Sequence, residues 1–477
     1  MTSNTALVWL RRDLRLDDNP ALIAAIDRCD VVIPVYIDDR TEQPQWQQGA
    51  ASDWWLHHSL TSLSKSIAAC GGRLIIRQGE ALETLQTLIR ETGATEVHWN
   101  RLYEPWTRER DTRIKEALET LSIDVTSHNG SLLNEPWTVL TKTGTPYKVF
   151  TPYWRAARQA MQPPAPLDPV EQIHGPEAPI ESLKLEALQL LPTIRWDRGI
   201  EAAWSPGEAD AVARARAFAI DAASNYDEAR NLPATPGVSR LSPHLHFGEL
   251  SVRRLWQIIE SNSPHSDGRE IYLTELGWRE FSHYALYHFP HTTDEPMNPK
   301  FSHFEWRDDN EMLRAWQKGQ TGVPIVDAGM RELWATGWMH NRVRMIVASF
   351  LVKNIRMHWL HGARWFWDTL VDADLPANTL GWQWSAGCGV DAAPYFRIFN
   401  PVSQGERFDG DGDYVRHWVP EVSQIPNKYI HCPWKLPEAK AREAGFVLGR
   451  DYPEPIVDLK ITRESALAAF KALKEVA

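Results

Sequence analysis

From its amino terminus the chain alternates short apolar runs with amphipathic stretches. ALVWL (6–10) is followed by Asn19-Pro20, which predicts a helix start with Asn as the cap and Pro at the first position. DVVIPVYI (30–37), RLIIR (73–77) and EVHWN (96–100) have the length and β-branched content of buried strands. ALETLQTLIRET (81–92) reads as an amphipathic helix between two of them. Strands separated by helices predict a doubly wound parallel α/β sheet over residues 1–130. Pro163, Pro164, Pro166, Pro169, Pro176, Pro179 and Pro192 crowd a stretch with few strand signals. It predicts a surface connector within residues 131–203. Helical periodicity then takes over in GEADAVARARAFAI (207–220), SVRRLWQIIE (251–260) and MHNRVRMIVASFLVKNI (339–355). Residues 204–477 are expected to form an all-α domain.

Composition adds exclusions. The chain is 477 residues long, 43% hydrophobic and 24% charged, as globular proteins are. No run of about 18 apolar residues predicts a membrane span. The start lacks a basic region followed by an apolar core, so a soluble cytoplasmic protein is expected. Cys29, Cys70, Cys388 and Cys432 lie far apart, which suits reduced thiols and not a metal site. A net charge of −11 argues against coating nucleic acid by phosphate neutralisation. A local basic site stays open, because Leu333 to Trp367 holds no Asp or Glu but does hold Arg342, Arg344, Lys353, Arg356 and Arg364. No G-x-G-x-x-G follows the first strand and no Walker loop is present. DGDGDY (409–414) has Tyr414 where a calcium loop needs Gly.

At about 100° per residue, Asn341, Arg344, Met345 and Ala348 share one helix face. That face is either solvated or the wall of a polar pocket. In VSRLSPHLHFGELS (238–251), Ser242-Pro243 starts a helix beside Ser239 and Arg240; the segment either binds phosphate or is only a cap. His244 and His246 lack the carboxylate spacing of a metal site. Asp372 and Asp374 read as an acidic pair, with Arg344 a partner for one of them. Trp382 and Trp384 follow that acidic run in a chain with 23 Trp against 12 Tyr.

TGVPIVDAGMRELWATGWMHNRVRMIVASFLVK (321–353) and WFWDTLVDADLPANTLGWQWSAGCGVDAAPYFRIFNPVSQGERFD (365–409) resemble the flavin domain of cyclobutane pyrimidine dimer photolyases. LVWLRRDLRLDDNPAL (7–22) resembles the start of that family, so the likeness spans nearly the whole chain. The resemblance implies FAD folded in a U shape within the helical domain. It implies that Tyr226, Val238, Ser239, Arg240, Leu241, Ser242, Tyr272 and Arg279 belong to the cofactor site. Val238 stands where many relatives have Thr, leaving only its N–H. Arg344 and Asp372 are to pair beside the isoalloxazine, with Asp374 near it and Asn378 facing flavin N5. Trp382, Trp359 and Trp306 are to carry electrons toward the surface. Glu275, Trp278, Asn341, Met345 and Trp384 are to line the pocket for a flipped-out dimer, with Arg230, Arg342 and Gln404 along the DNA strand.

The implied activity is light-driven repair of pyrimidine dimers by electron transfer from reduced FAD, in a monomer whose partner is UV-damaged DNA. Base flipping by photolyases is a standard example of that mode of recognition. Three rivals remain: a blue-light cryptochrome, which typically has Asp where Asn378 stands; a six-four photoproduct enzyme, which commonly has a His pair at His340-Asn341; and a flavin-free nucleotide-binding protein. The segment 328–374 has the flavour of the subgroup nearest plant cryptochromes. The amino-terminal domain is to house an antenna, either methenyltetrahydrofolate or 8-hydroxy-deazaflavin. Trp106-Thr107 replace the Asn-Glu that folate-type relatives often carry.

Overall fold

The computed structural model describes residues 4–41, 46–161, 165–393 and 395–475, so Pro163 and Pro164 of the connector lie outside the described residues. Five strands, β1 (Thr5–Leu10), β2 (Val31–Asp38), β3 (Ile75–Gln78), β4 (Glu96–Asn100) and β5 (Asp124–His128), form one parallel sheet in the order β3-β2-β1-β4-β5. Four helices connect them: α1 (Pro20–Arg28), α2 (Ala50–Ala69), α3 (Ala81–Thr92) and α4 (Pro105–Thr120). Because strand residues alternate sides, β1 serves two cores. Ala6, Val8 and Leu10 pack with α1 and α2, while Leu7 and Trp9 pack with α3 and α4. Asn19 caps α1 by accepting from Leu22 N at 3.2 Å, with Pro at the helix start. Gly93 ends α3 at φ 67°, the left-handed conformation that glycine adopts without strain.

The connector runs along the α/β half. Leu183 N donates to Ile76 O and Ser182 Oγ accepts from Ile76 N, which covers the β3 edge. Ile173 N reaches Cys70 O at 2.8 Å.

The helical half comprises α5 (Phe150–Ala160), α6 (Arg198–Ala203), α7 (Glu208–Asp221), α8 (Tyr226–Ala229), α9 (Ser242–His246), α10 (Val252–Asn262) and α11 (Asp267–His288). It continues through α12 (Asn310–Gln317), α13 (Pro324–Thr336), α14 (Asn341–Ser349), α15 (Trp359–Thr369), α16 (Leu375–Ala386) and α17 (Pro401–Phe408) to a final helix, Leu459–Glu475. α5 lies within the predicted connector yet joins the core of α7, α10 and α11. After α14 the chain widens into a π-helical turn, Phe350–Ile355, where the pattern predicted one continuous helix. Val343, Ile346, Val347 and Phe350 are buried as the periodicity required. Of the five cations between Leu333 and Trp367, Lys353 and Arg356 are also buried.

The two halves share a core of Trp55, Trp204, Phe247, Trp338 and Val371. Its seam is the RRDLRLDDN loop (11–19). Arg15 is 1% exposed and donates to Asp18 O, Gly130 O and Gly248 O at 2.8–2.9 Å. Arg253 and Arg254 close ion pairs of 2.6 Å with Asp18 and Asp17. Gly248, at φ 66°, touches the loop backbone: an added Cβ would lie 2.7 Å from Arg12 C and nearer its oxygen. Among the described residues, no helix is long and apolar enough to cross a membrane.

Candidate active site

α16 organises the site. Asp374 caps it, accepting from Ala377 N at 3.1 Å through Oδ2. Its Oδ1 meets His246 Nδ1 at 3.3 Å, with His283 Nε2 at 3.9 Å. Burial pushes the Asp374 carboxyl up, but the His283 and His246 rings outweigh it and hold the group below the usual carboxylate range. His246 thus partners a carboxylate, while His244 pairs with Glu249 at 2.5 Å, itself bound by Trp55 Nε1. One turn along α16, Asn378 Nδ2 donates to Ala363 O at 3.0 Å. Only the amide nitrogen can face a carbonyl, so Oδ1 points away, with no donor among the described residues.

Arg344 on α14 forms the expected pair, with Nη2 at 2.8 and 3.1 Å from the two Asp372 oxygens. Its Nε donates to Met339 O at 2.7 Å, which fixes the fork. Opposite lies the Val238–Ser242 loop. Val238 is half-buried between two cores. Ser239 Oγ accepts from Tyr272 OH at 3.1 Å and from Leu241 N at 3.4 Å. Tyr226 packs edge-on against Tyr272 at 5.1 Å, and Ser242 begins α9. Arg240 sits at φ 53°, its guanidinium 4.3 Å over Trp204 and 4.9 Å over Trp338. Burial, then neighbouring Arg214, lowers its pKa, and its Nε finds no partner among the described residues. Arg214 Nε is equally unpartnered. Arg240 and Arg214 close no ion pair among the described residues, and with the Asn378 amide oxygen and the Ser239 and Tyr272 hydroxyls they fit an anionic, flat, polar-edged cofactor such as FAD. Arg279 turns toward Ser131 O, 2.8 Å away, and acts on this site through the charge it places near Asp374.

A second set opens beside the first. Glu275 accepts from Arg230 Nη1 at 2.5 Å. Burial raises the Glu275 pKa and Arg230 opposes it. Trp278, one turn on, stacks on Phe150 with centroids 3.7 Å apart and planes at 11°. Asn341 is exposed and Met345 half-buried. Met345 and Trp384 line one small cavity with Ser349, Lys353, Arg397 and Phe399. Arg342 donates to Asn231 Oδ1 at 2.5 Å and lies 4.5 Å over Phe408 on α17, the helix that carries Gln404. Burial, then Arg344 and Arg342, pushes the His340 imidazole down to about 4.

Trp382 is 2% exposed, edge-on to Phe366 at 5.0 Å and Trp316 at 6.1 Å. It presses on Gly362, one turn beyond Trp359 on α15. The His358 ring lies 5.6 Å from Trp359 and 5.1 Å from half-buried Trp306.

Sequence reasoning missed Phe150 behind Trp278, the His pair on Asp374, His358 between two indoles, and the Trp cage of Arg240. Only the residue types offered a signal; the pairings are made by distant segments. Asp409, within the rejected calcium-like run, accepts from Tyr414 N and Val415 N and so satisfies two N–H groups in the first turn of the helix Asp413–Trp418.

Residues 6–171 match the DNA photolyase domain model, and residues 272–472 match the FAD binding domain of DNA photolyase. The chain is 48% identical to a deoxyribodipyrimidine photo-lyase of Agrobacterium fabrum, over 98% of both chains. It is 40% identical to Cryptochrome-2 of Arabidopsis thaliana, over 98% of this chain and 79% of that one. The structure of a bacterial class III photolyase from Agrobacterium tumefaciens superposes with a TM-score of 0.96 at 46% identity, covering 100% of this chain and 98% of that one. With both domains matched and near-complete coverage at such identity, the chain belongs to the DNA photolyase family.

Proposed function

We propose that this chain repairs cyclobutane pyrimidine dimers in DNA with light, as a deoxyribodipyrimidine photo-lyase. The observation that carries the reading is the adjacency of Arg344 and Met345 on α14. Arg344 pairs with Asp372 on the cofactor side, while Met345, about 100° further round the same broad face, shares a cavity with Trp384. Cofactor and lesion would therefore meet neighbouring residues of one helix.

When bound and reduced, FAD supplies a photoexcited electron that enters the dimer, lets the cyclobutane ring open and is recovered. Ser239, Arg240, Tyr272 and the Arg344–Asp372 pair hold and orient the cofactor. Asn378 Oδ1 would face a flavin N–H. Trp382, Trp359 and Trp306 would offer oxidisable indoles between an oxidised cofactor and the surface. Trp278, backed by Phe150, and Trp384 grip the extruded bases, and Glu275 accepts a hydrogen bond from one of them. Arg230, Arg342 and Gln404 meet the strand. A lesion already stacks poorly, so its extrusion costs less than the few kcal/mol a normal base requires. The small basic rim is therefore enough despite a net charge of −11.

The test is an oligonucleotide with a thymine dimer, incubated with reduced holoprotein in darkness and under blue light. Chromatography should show loss of the lesion only in light; persistence in both arms overturns the reading. The identity with Arabidopsis Cryptochrome-2 supports a second reading, a blue-light receptor, which predicts that same persistence. Asn378 favours repair.

An antenna in the α/β half completes the proposal. The Thr107 hydroxyl is spent on Glu104 O at 2.9 Å, so a folate here is held differently from one bound through Asn-Glu. Mass spectrometry of released pigments distinguishes methenyltetrahydrofolate from 8-hydroxy-deazaflavin.

A further inference from the structure

We propose that Arg230 is a positioning residue that holds Glu275 as a carboxylate, so that the lesion pocket offers an acceptor to the imide N–H of a dimerised thymine. The proposal rests on the reading of Glu275 as a lesion contact.

Arg230 follows the last turn of α8 and is fixed from two sides. Its N–H donates to Tyr226 O at 3.1 Å, and the next residue, Asn231, is held by Arg342 Nη2 at 2.5 Å. Its guanidinium stands 5.5 Å over the Tyr226 ring and delivers Nη1 to Glu275 Oε1. Glu275 Oε2 has no donor among the described residues. Each side chain keeps about a quarter of its surface open, on the face where Trp278 also emerges. The ion pair therefore leaves one carboxylate oxygen unused beside the predicted lesion.

What that oxygen offers depends on its proton. A carboxylate only accepts, whereas a carboxylic acid also donates. Thymine presents N3–H, while cytosine has a bare N3 in that place. Burial pushes Glu275 toward the acid, and Arg230 is the cation in contact with it. The other titratable neighbours do not substitute. Tyr226 on α8 and Tyr272 on α11 are kept protonated by burial. His340, which caps α14, is neutral at neutral pH. Arg342 on α14 is committed to Asn231, and Arg407 on α17 lies beyond it, over Phe408. The pair has a second consequence. An electron reaching the dimer would be repelled by a lone carboxylate, and Arg230 cancels that charge.

The experiment begins without DNA. Infrared spectra of FAD-loaded protein across pH should show a protonated-carboxyl band at neutral pH in Arg230→Gln. Buried Glu280 and Asp327, pushed up to about 7 and about 6, contribute to every variant alike, so the band is read as a difference from wild type; it should vanish in Arg230→Gln/Glu275→Gln, and Arg230→Lys should suppress it. The second arm is dark binding of a thymine-dimer oligonucleotide across pH. Arg230→Gln should bind about tenfold more weakly at neutral pH and recover toward alkaline pH, as expected when a charge-assisted hydrogen bond is lost by protonation. Absence of the band in Arg230→Gln overturns the proposal. A uniform loss of affinity with an unshifted pH profile does so too, because it marks a plain phosphate contact. If the band behaves as expected but Glu275→Gln binds the dimer as wild type does, Glu275 is not a lesion contact; that overturns the earlier reading and the thymine selectivity together.

Discussion

Substituting Gly362 by Ala tests whether the fit between α15 and the redox indole is as tight as the structure shows. An added Cβ would lie 2.5 Å from Trp382 Cζ2 and closer still to Cη2 and Cζ3. Two effects compete. Ala in a helix interior is favoured over Gly by about 0.5–1 kcal/mol. Overpacking a filled core costs about 1–3 kcal/mol. Trp382 is 2% exposed and boxed by Phe366 and Trp316, so its ring has nowhere to swing and the cost falls at the upper end. The net expectation is a loss of about 2 kcal/mol, read by denaturant unfolding of the holoprotein. Photoreduction of the oxidised cofactor should slow as well, because the displaced ring is the first indole of the proposed relay. Trp382→Phe should relieve the clash, giving a favourable coupling of about 1–2 kcal/mol in the double-mutant cycle. A Gly362→Ala protein as stable as wild type would refute the packing argument.

Trp359→Phe or Trp306→Phe should abolish photoreduction of the oxidised cofactor by an external thiol, yet leave repair by chemically reduced protein intact; absorbance after flash excitation separates the two. Asp372→Asn removes the partner of Arg344 and should cost about 2–3 kcal/mol in urea unfolding, below the roughly 3–5 kcal/mol of a fully buried broken pair because the Arg344 side chain is 24% exposed. FAD should also dissociate faster from that variant. His128, His340 and His358 are each pushed down to about 4, in every case by burial first. The unfolded chain binds those protons near pH 6.5, so stability is full above that value and falls as pH drops from about 6.5 to 4. His340→Gln should lower proton uptake on unfolding in that window by about one, measured from the pH dependence of unfolding free energy.

The elements legible in the sequence were those whose local pattern agrees with their final surroundings. α3 and the Asn19-Pro20 start of α1 read correctly because one face of each meets the sheet and its cap is local. α2 gave no comparable pattern: Trp54, Trp55, Leu56 and Leu60 are buried all round the helix because it is wedged between the two halves. β5 escaped notice because Val125 is its only fully buried residue. The π-helical turn after α14 is invisible to periodicity, since Phe350 to Ile355 are buried on every side. In the site, opposite charges and a long motif exposed Arg344–Asp372. By contrast, Phe150 reaches Trp278, and His246 reaches Asp374, only after distant segments fold together.

The seam around Arg15 and Gly248 bears on how captured light could be used. Transfer of excitation between two pigments depends on their spacing and mutual orientation. Here the half proposed to gather light and the half that spends it are cemented by a common aromatic interior, with backbone against backbone at one glycine. An antenna pigment held in the first half would therefore be aligned once, when the chain folds, without a swinging arm.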